Sequence, residues 1–269
     1  MGQDVDRLEH RSMKGKRLLV AGGSSGIGGA LAEELIAAGH CVGILSRRSV
    51  CSWDWRVPKN WNADANLLRV DLRQLAHVRE ICAGWASDGL DGLVFSAVEY
   101  GGSRRQSILD VSLASWQSVI ETNVLGFAAV VTSVLPALLR ARPGVLVNIS
   151  SETAANPAPG RAPYGASKAV QRHILRSLVE EIAPNSLSII EMLPEGMVRT
   201  PGIERRRPVG TDWSSYASPR SFCRFMRELL ELDTPIVGYR AFVVSPDGRV
   251  RPSNGNDVAS QTAPVGIAP

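Results

Sequence analysis

Residues 17–39 read RLLVAGGSSGIGGALAEELIAAG, and the order of elements within them indicates the class of fold. RLLVA has the pattern of a short apolar strand, GGSSGIGG that of a glycine-rich turn, and ALAEELIAAG that of a helix ending at Gly39. The absence of side chains at Gly22, Gly26 and Gly28 lets the backbone approach a pyrophosphate, which the free N–H groups of the helix N-terminus can bind. The sequence therefore predicts a phosphate-binding turn, with a plain tight turn as the alternative.

Composition narrows the class of protein. The chain has 269 residues, 44% hydrophobic and 21% charged, which fits one large soluble α/β domain. Its net charge of +4 is small and the basic residues are scattered, apart from Arg47-Arg48 and the arginines at 205–207, so no nucleic-acid partner is predicted. The four cysteines and four histidines are dispersed, which argues against a metal site or a disulfide framework.

The first fourteen residues are polar and unlike a secretory signal, and no apolar run is expected to reach the length that crosses a bilayer. We therefore expect a cytoplasmic protein without a membrane partner.

Strands and helices alternate along the rest of the chain. Further apolar segments typical of strands are CVGILS, LLRV, GLVFSA, GVLVNISS, SLSIIEM and IVGYRAFVV. The alternation predicts a single doubly wound Rossmann-type α/β domain, a parallel seven-stranded sheet with helices on both faces. We expect it to span residues 14–250, after a polar extension at 1–13 and before a disordered tail at 251–269, with a substrate loop or lid at 195–225.

The end of the second strand bears on cofactor choice. Arg47 and Arg48 follow Ser46 directly, and no carboxylate occurs at positions 45–48. In dinucleotide folds an acidic side chain here selects a free ribose 2′-hydroxyl, whereas arginine accommodates a 2′-phosphate. The pattern favours NADP(H) over NAD(H); two solvated surface arginines are the alternative.

Two other segments carry unusual residues. Residues 49–66 contain Trp53, Trp55 and Trp61, which either cover the adenine side of a cofactor or pack the loop down, and we favour packing. A long apolar helix from about Leu113 to Arg140 contains Asn123. A buried amide needs partners, and a helix loosened around a water supplies them; a local irregularity is the alternative.

Residues 150–169, SSETAANPAPGRAPYGASKA, hold the candidate chemistry. Tyr164 and Lys168 are one helical turn apart, and an ammonium beside a phenol favours the phenolate. Ser151 follows the fifth strand, so it shares the carboxyl edge of the sheet with the glycine turn. By itself, a tyrosine and a lysine at this spacing are more often an ordinary helix face.

Together these motifs resemble the short-chain dehydrogenase/reductase family across residues 14–250. GGSSGIG, Asp71 after the third strand, ETNVLG, VNISS, YGASK and GMVRT occur in the order and spacing of that family. The resemblance implies that Tyr164 donates a proton to the substrate oxygen and that Ser151 orients that oxygen. It also implies that Lys168 binds the nicotinamide ribose and lowers the pKa of Tyr164, while Asn123 holds a water that relays protons to Lys168.

The same resemblance implies the cofactor site. Asp71 would hydrogen-bond the adenine, and Thr200 would contact the nicotinamide carboxamide. The implied cofactor-binding residues are Gly22, Ser24, Ser25, Gly26, Ile27, Gly28, Arg47, Arg48, Asp71, Ala97, Tyr164, Lys168, Gly196, Val198 and Thr200.

Three segments depart from the family pattern. Ala21 replaces a threonine before the glycine turn, and residues 95–98 read FSAV in place of Asn-Asn-Ala-Gly. Glu195 replaces the proline before Gly196, which directs a carboxylate either at the nicotinamide and substrate or into solvent.

These features lead to an NADPH-dependent reductase of a ketone or aldehyde, placed in specialised (secondary) metabolism because of its divergent fourth strand and tryptophan-rich loop. An NADP-dependent alcohol or sugar dehydrogenase and a non-catalytic NADP-sensing regulatory protein are the alternatives. ERRR at 204–207 suggests an anionic substrate or carrier phosphate, although such a run is more often simply solvated. The family and the apolar helix lead us to expect a homodimer or homotetramer.

Overall fold

A computed structural model gives the fold and describes residues 15–49, 55–59, 61–102, 106–141, 143–184, 186–232 and 236–254. The strands are β1 (Arg17–Ala21), β2 (Cys41–Ser46), β3 (Leu67–Arg69), β4 (Gly92–Phe95), β5 (Gly144–Ile149), β6 (Leu187–Pro194), β7 (Gly238–Val244) and β8 (Val250–Pro252). The α-helices are α1 (Gly26–Ala37), α2 (Ala63–Asn66), α3 (Leu75–Ala86), α4 (Leu113–Ile120), α5 (Gly126–Ala141), α6 (Ala162–Glu181), α7 (Pro201–Glu204) and α8 (Cys223–Glu231).

All eight strands form one sheet in the order β3-β2-β1-β4-β5-β6-β7-β8. The first seven pair in parallel, which confirms the predicted doubly wound fold, and the order reverses direction between β1 and β4. The prediction of seven strands was wrong by one, because β8 adds an antiparallel edge at residues 250–252. Arg251 and Pro252 therefore belong to the sheet, while residues 1–14 and 255–269 lie outside the described part of the chain.

Helices cover both faces of the sheet. On one face, Leu31 and Leu35 of α1 join Phe222 and Met226, from the turn before α8 and from α8 itself, in one buried apolar cluster. On the other face, side chains of α3, α5 and α6 form a second cluster. Parallel strands buried on both sides require the near-continuous apolar runs that the sequence shows.

The segment Leu113–Ala141 is long and apolar enough, by length and composition alone, to cross a membrane, so the expectation that no apolar run reaches that length was wrong. In the fold, Phe127, Val134 and Leu138 of this segment are fully buried. The ring of Phe127 meets that of Phe95 in β4 edge-on, with 4.9 Å between ring centroids. The segment therefore packs as a core helix of the domain.

The tryptophans of the 49–66 loop pack inward where the structure describes them. The indole of Trp61 is buried and donates a 2.7 Å hydrogen bond to the carbonyl of Val42, and Trp55 donates one of 3.1 Å to the carbonyl of Gly23. Neither lines the cleft described below. The packing hypothesis therefore holds for these two residues, and Trp53 lies outside the described chain.

Candidate active site

A cleft of about 630 Å³ opens at the carboxyl ends of the parallel strands, on both sides of the point where the strand order reverses. It is lined by most of the residues predicted for the site: Gly22, Ser24, Ser25, Gly26, Ile27, Arg47, Arg48, Asp71, Ala97, Ser151, Tyr164, Lys168, Gly196, Val198 and Thr200. The structure does not place Gly28 or Asn123 on the cleft wall, although both lie directly behind it.

Close packing explains the glycine turn between β1 and α1. Gly22 has φ +81°, and a Cβ there would lie 2.6 Å from the Cα of Ala97 at the end of the neighbouring strand. A Cβ on Gly28 would lie 2.5 Å from the carbonyl oxygen of Gly22, so Gly28 lets α1 approach the turn. Gly26, with φ +59°, lies close to Thr200, whose side chain would be 3.3 Å from a Cβ added at Gly26. Backbone N–H groups at the start of α1 are thereby exposed to a ligand in the cleft.

The two arginines after β2 have different surroundings. Arg48 donates from Nη2 to the carbonyl oxygen of Ser24 at 3.0 Å, which ties the end of β2 to the glycine turn. Arg47 is exposed on the cleft wall. Arg47 is therefore the more available of the two for an anionic ligand.

Asp71 lies at the same end of the cleft. Its carboxylate accepts a 2.7 Å hydrogen bond from Nη2 of Arg73, and this contact is the main reason that its pKa is lowered. Asp71 is thus a carboxylate near neutral pH and can accept a hydrogen bond from a base or sugar in the cleft.

Tyr164 stands in the first turns of α6, with part of its surface open to the cleft. Burial of its hydroxyl raises the pKa of Tyr164 above the ordinary value, and nearby Tyr100 adds to the increase, while a hydrogen bond with Ser151 opposes it. The phenol is therefore protonated across the physiological pH range and can donate. Lys168 directs its ammonium at the carbonyl of Ile149 and at Gln171. That Lys168 lowers the pKa of Tyr164 stays a prediction.

Ser151 begins a short 3₁₀ turn, Glu152–Ala154, after β5. Its hydroxyl donates to Oε2 of Glu152 at 2.9 Å and accepts from the hydroxyl of Thr153 at 3.1 Å. Glu152 is in turn paired with Arg161 at 3.1 Å. This network fixes the Ser151 side chain beside Tyr164, with its hydroxyl hydrogen directed at Glu152.

Lys168 is 2% exposed, one turn after Tyr164 on α6. Its Nζ donates to the carbonyl oxygen of Ile149 at 2.7 Å and to Oε1 of Gln171 at 3.1 Å. Burial lowers the pKa of Lys168 to about 8, against the opposing attraction of the Glu191 carboxylate. The ammonium form therefore predominates at pH 7.

Asn123 is fully buried where the long helix widens into a π-helical turn, Glu121–Leu125. Its side chain exchanges two 2.7 Å hydrogen bonds with the backbone of Glu99 and donates to the hydroxyl of Ser167 at 3.0 Å. The backbone carbonyl oxygen of Asn123 accepts a 2.6 Å hydrogen bond from Nε2 of Gln171. The irregular helix turn predicted around Asn123 is thus present, and a side chain links it to Lys168.

Sequence reasoning missed Tyr100 and did not place Arg206, from the ERRR run, beside it. The Tyr100 ring lies 5.1 Å from that of Tyr164, and the guanidinium of Arg206 lies 4.5 Å from the Tyr100 ring. Tyr100 follows the divergent fourth strand, and only that unusual sequence could have drawn attention to it. Glu195, by contrast, turns away from the cleft and pairs with Arg251 of β8 at 3.4 Å.

Comparisons with known proteins agree with this geometry. Residues 16–208 match the family model described as short chain dehydrogenase. The chain belongs to the short-chain dehydrogenase family. Members of this family interconvert alcohols and carbonyl compounds with a nicotinamide cofactor.

Individual relatives are more distant. The chain is 29% identical to an uncharacterised oxidoreductase of Staphylococcus epidermidis, over 75% of this chain and 84% of that one. It is 31% identical to the "Granaticin polyketide synthase putative ketoacyl reductase 2" of Streptomyces violaceoruber, over 68% and 73% of the two chains. A 3-ketoacyl-(acyl-carrier-protein) reductase from Brucella melitensis, solved with NADH, shares the fold at a TM-score of 0.72, with 22% identity over 87% of this chain and 98% of that one.

Proposed function

We propose that this short-chain dehydrogenase is an NADPH-dependent reductase of ketones or aldehydes. The observation that carries the proposal is the placement of Tyr164 at the cleft beside Ser151, with Lys168 one helical turn away on α6. A tyrosine that keeps its proton is suited to protonating a carbonyl oxygen during reduction.

The cleft fits a dinucleotide. Gly22 and Gly28 keep the space beside the start of α1 free of side chains, as a pyrophosphate in contact with backbone N–H groups requires. Arg47 supplies an exposed guanidinium where a ribose 2′-phosphate would lie, and Asp71 an acceptor for the adenine. Bound NADPH would supply the hydride for reduction. Solved members with a similar fold have been described with NADP and with NADH, so the choice of NADPH rests on Arg47 and Arg48.

The side chains divide the remaining work. Tyr164 donates its proton to the substrate oxygen, a step that contributes about 10²–10⁴ in rate. Ser151 hydrogen-bonds the same oxygen, turning its hydroxyl hydrogen from Glu152 toward the substrate. Lys168 holds a ribose hydroxyl and places a positive charge near the phenolate that forms at Tyr164. Asn123 supports this arrangement from behind the cleft.

The substrate end of the cleft is basic. The cleft at this end is lined by Arg161, Arg205, Arg206 and Arg207. Among the described residues, Arg161 forms an ion pair with Glu152 and Arg206 one with Glu99, while Arg205 and Arg207 form none. This charge supports an anionic substrate, or one carried on a phosphate-bearing protein. The likeness to a ketoreductase of a polyketide synthase supports a place in specialised metabolism.

One assay tests the proposal. Purified protein is mixed with NADPH or NADH and a panel of aldehydes, cyclic ketones and β-keto thioesters, and cofactor oxidation is followed by absorbance. We expect turnover with NADPH and a loss of about 10²–10⁴-fold in kcat for Tyr164→Phe. Binding of NADPH without hydride transfer to any member of the panel, and no effect of Tyr164→Phe, would instead favour the sensor alternative.

We also propose a homodimer or homotetramer in the cytoplasm. Leu113 and Leu125, along the long helical segment, and Val170 on α6 are exposed apolar side chains of the kind that subunit contacts cover. Light scattering of the purified protein checks this, and a monomer would contradict it.

A further inference from the structure

Gln171 is a buried polar residue that the roles above leave unassigned. It lies on α6 one turn after Lys168 and is fully inaccessible to solvent. Its Nε2 donates to the carbonyl oxygen of Asn123 at 2.6 Å, and its Oε1 accepts from Nζ of Lys168 at 3.1 Å. One side chain therefore bridges the π-helical turn and the buried ammonium.

The orientation of this amide follows from its partners. A backbone carbonyl can only accept a hydrogen bond, so the NH₂ group of Gln171 must face Asn123. The oxygen of Gln171 then faces Lys168, an ammonium that can only donate. The Nδ2 of Asn148 on β5, at 3.4 Å, points at the same oxygen. The arrangement has a single consistent direction of hydrogen bonds.

The bridge also differs from the arrangement implied by the sequence. Asn123 was expected to hold a water through which protons reach Lys168, whereas here a carboxamide spans the distance between them. Unlike water, a carboxamide does not readily gain and lose protons near neutral pH. The carboxamide therefore holds Lys168 in place, and the water relay at Asn123 stays a prediction.

We propose that Gln171 is a positioning residue that fixes the ammonium of Lys168 and keeps it charged by bridging it to the backbone of Asn123. The proposal rests on the proposed function, in which a charged Lys168 serves Tyr164. With the second donor hydrogen bond to Ile149, the bridge leaves the ammonium little freedom to turn.

Other groups around Lys168 also act on its charge. Glu191 of β6 is fully buried, and its negative charge favours the charged form of Lys168. Its carboxylate also forms an ion pair with Arg172 at 2.7 Å and accepts a hydrogen bond from the hydroxyl of Tyr239 on β7. On the same helix, Tyr164 is the neighbouring titratable group one turn before Lys168. From β5, the neutral Asn148 and the carbonyl of Ile149 face Lys168. Because these groups remain in a Gln171 variant, the effect of the bridge can be measured separately.

Lysine NMR provides the test, since the chain has only four lysines, at positions 14, 16, 59 and 168. Protein labelled with ¹³C in lysine is titrated, and the Lys168 signal is assigned by its loss in Lys168→Arg. In Gln171→Met, which keeps the volume but not the hydrogen bonds, we expect the pKa of Lys168 to fall by about one unit. In Gln171→Ala, where water can enter, we expect a smaller fall.

Gln117→Met is the matched control, since Gln117 lies on α4 and pairs only with nearby Glu121; we expect no change there. Near-ultraviolet circular dichroism checks folding, and Gln171→Ala carries the test if Gln171→Met does not fold. A Lys168 titration unchanged in the folded Gln171 variants overturns the proposal. The measurement needs no substrate, so failure of the wild-type protein to reduce any carbonyl would refute the proposed function without affecting this result.

Discussion

The ring of Tyr100 lies over that of Tyr164, with centroids 5.1 Å apart and ring planes tilted by 32°. Together with burial by the surrounding protein, Tyr100 raises the pKa of the Tyr164 phenol and keeps it in the donor form. This contact joins residues 64 positions apart in the chain, and Arg206 covers its outer side. Tyr100 follows the fourth strand by five residues, so the unusual segment 95–98 leads directly to the residue that lies over the proton donor.

Replacing Tyr100 with alanine should lower the pKa of Tyr164, because water then reaches the hydroxyl and stabilises the phenolate. Tyr100→Phe, which keeps the ring, should lower it less. Ultraviolet difference titration of each variant against the same variant carrying Tyr164→Phe isolates the phenolate signal. An equal pKa of Tyr164 in all three proteins would show that Tyr100 does not shield it.

Short sequence patterns predicted those parts of the structure that depend on residues close together in the chain. The β1–turn–α1 unit and the Tyr164/Lys168 pair follow from the spacing of glycines and apolar residues within short windows. The Gln171 bridge depends on Asn123, 48 residues away, and nothing in the sequence near Gln171 distinguishes it from a surface glutamine. The extra strand β8 escaped prediction because three residues form a strand only where the edge of β7 is available to pair.

Arg47→Ala should weaken NADPH binding by about 10- to 100-fold, the loss expected for a hydrogen-bonded charge on the 2′-phosphate, and leave NADH binding nearly unchanged. Cofactor fluorescence titrations measure both affinities. Arg205→Ala is the control, because Arg205 is an exposed arginine that lines the same cleft. Equal weakening for both cofactors in Arg47→Ala would mean that this arginine does not read the phosphate.

Activity should decline as the pH rises through about 8, because Lys168 then loses the charge that supports the phenolate at Tyr164. Glu191→Gln removes the neighbouring negative charge that favours the ammonium of Lys168. The fall in kcat at alkaline pH should therefore occur at lower pH in this variant than in wild type. The pH dependence of kcat, together with lysine NMR, measures the shift. Glu195→Gln is the control, since Glu195 is exposed and pairs with Arg251 away from the cleft. A Glu191→Gln profile that coincides with wild type would exclude this electrostatic role.

Alanine variants of two glycines with similar φ angles distinguish the cost of a positive φ from the cost of a steric clash at Cβ. Gly22 has φ +81° and Gly39 has φ +86°, so alanine at either should cost about 1–2 kcal/mol for the left-handed conformation. At Gly39 nothing lies within 4 Å of an added Cβ, whereas at Gly22 it would lie 2.6 Å from the backbone of Ala97. Urea unfolding should therefore show Gly22→Ala to be less stable than Gly39→Ala by about a further 1–3 kcal/mol, since the ends of β1 and β4 must move apart. Because that movement displaces the start of α1, Gly22→Ala should also lose NADPH binding, while Gly39→Ala keeps it.

Equal stability of the two variants would show that the turn can accommodate a Cβ at Gly22. The space for a pyrophosphate at this turn would then not depend on the missing side chain of Gly22.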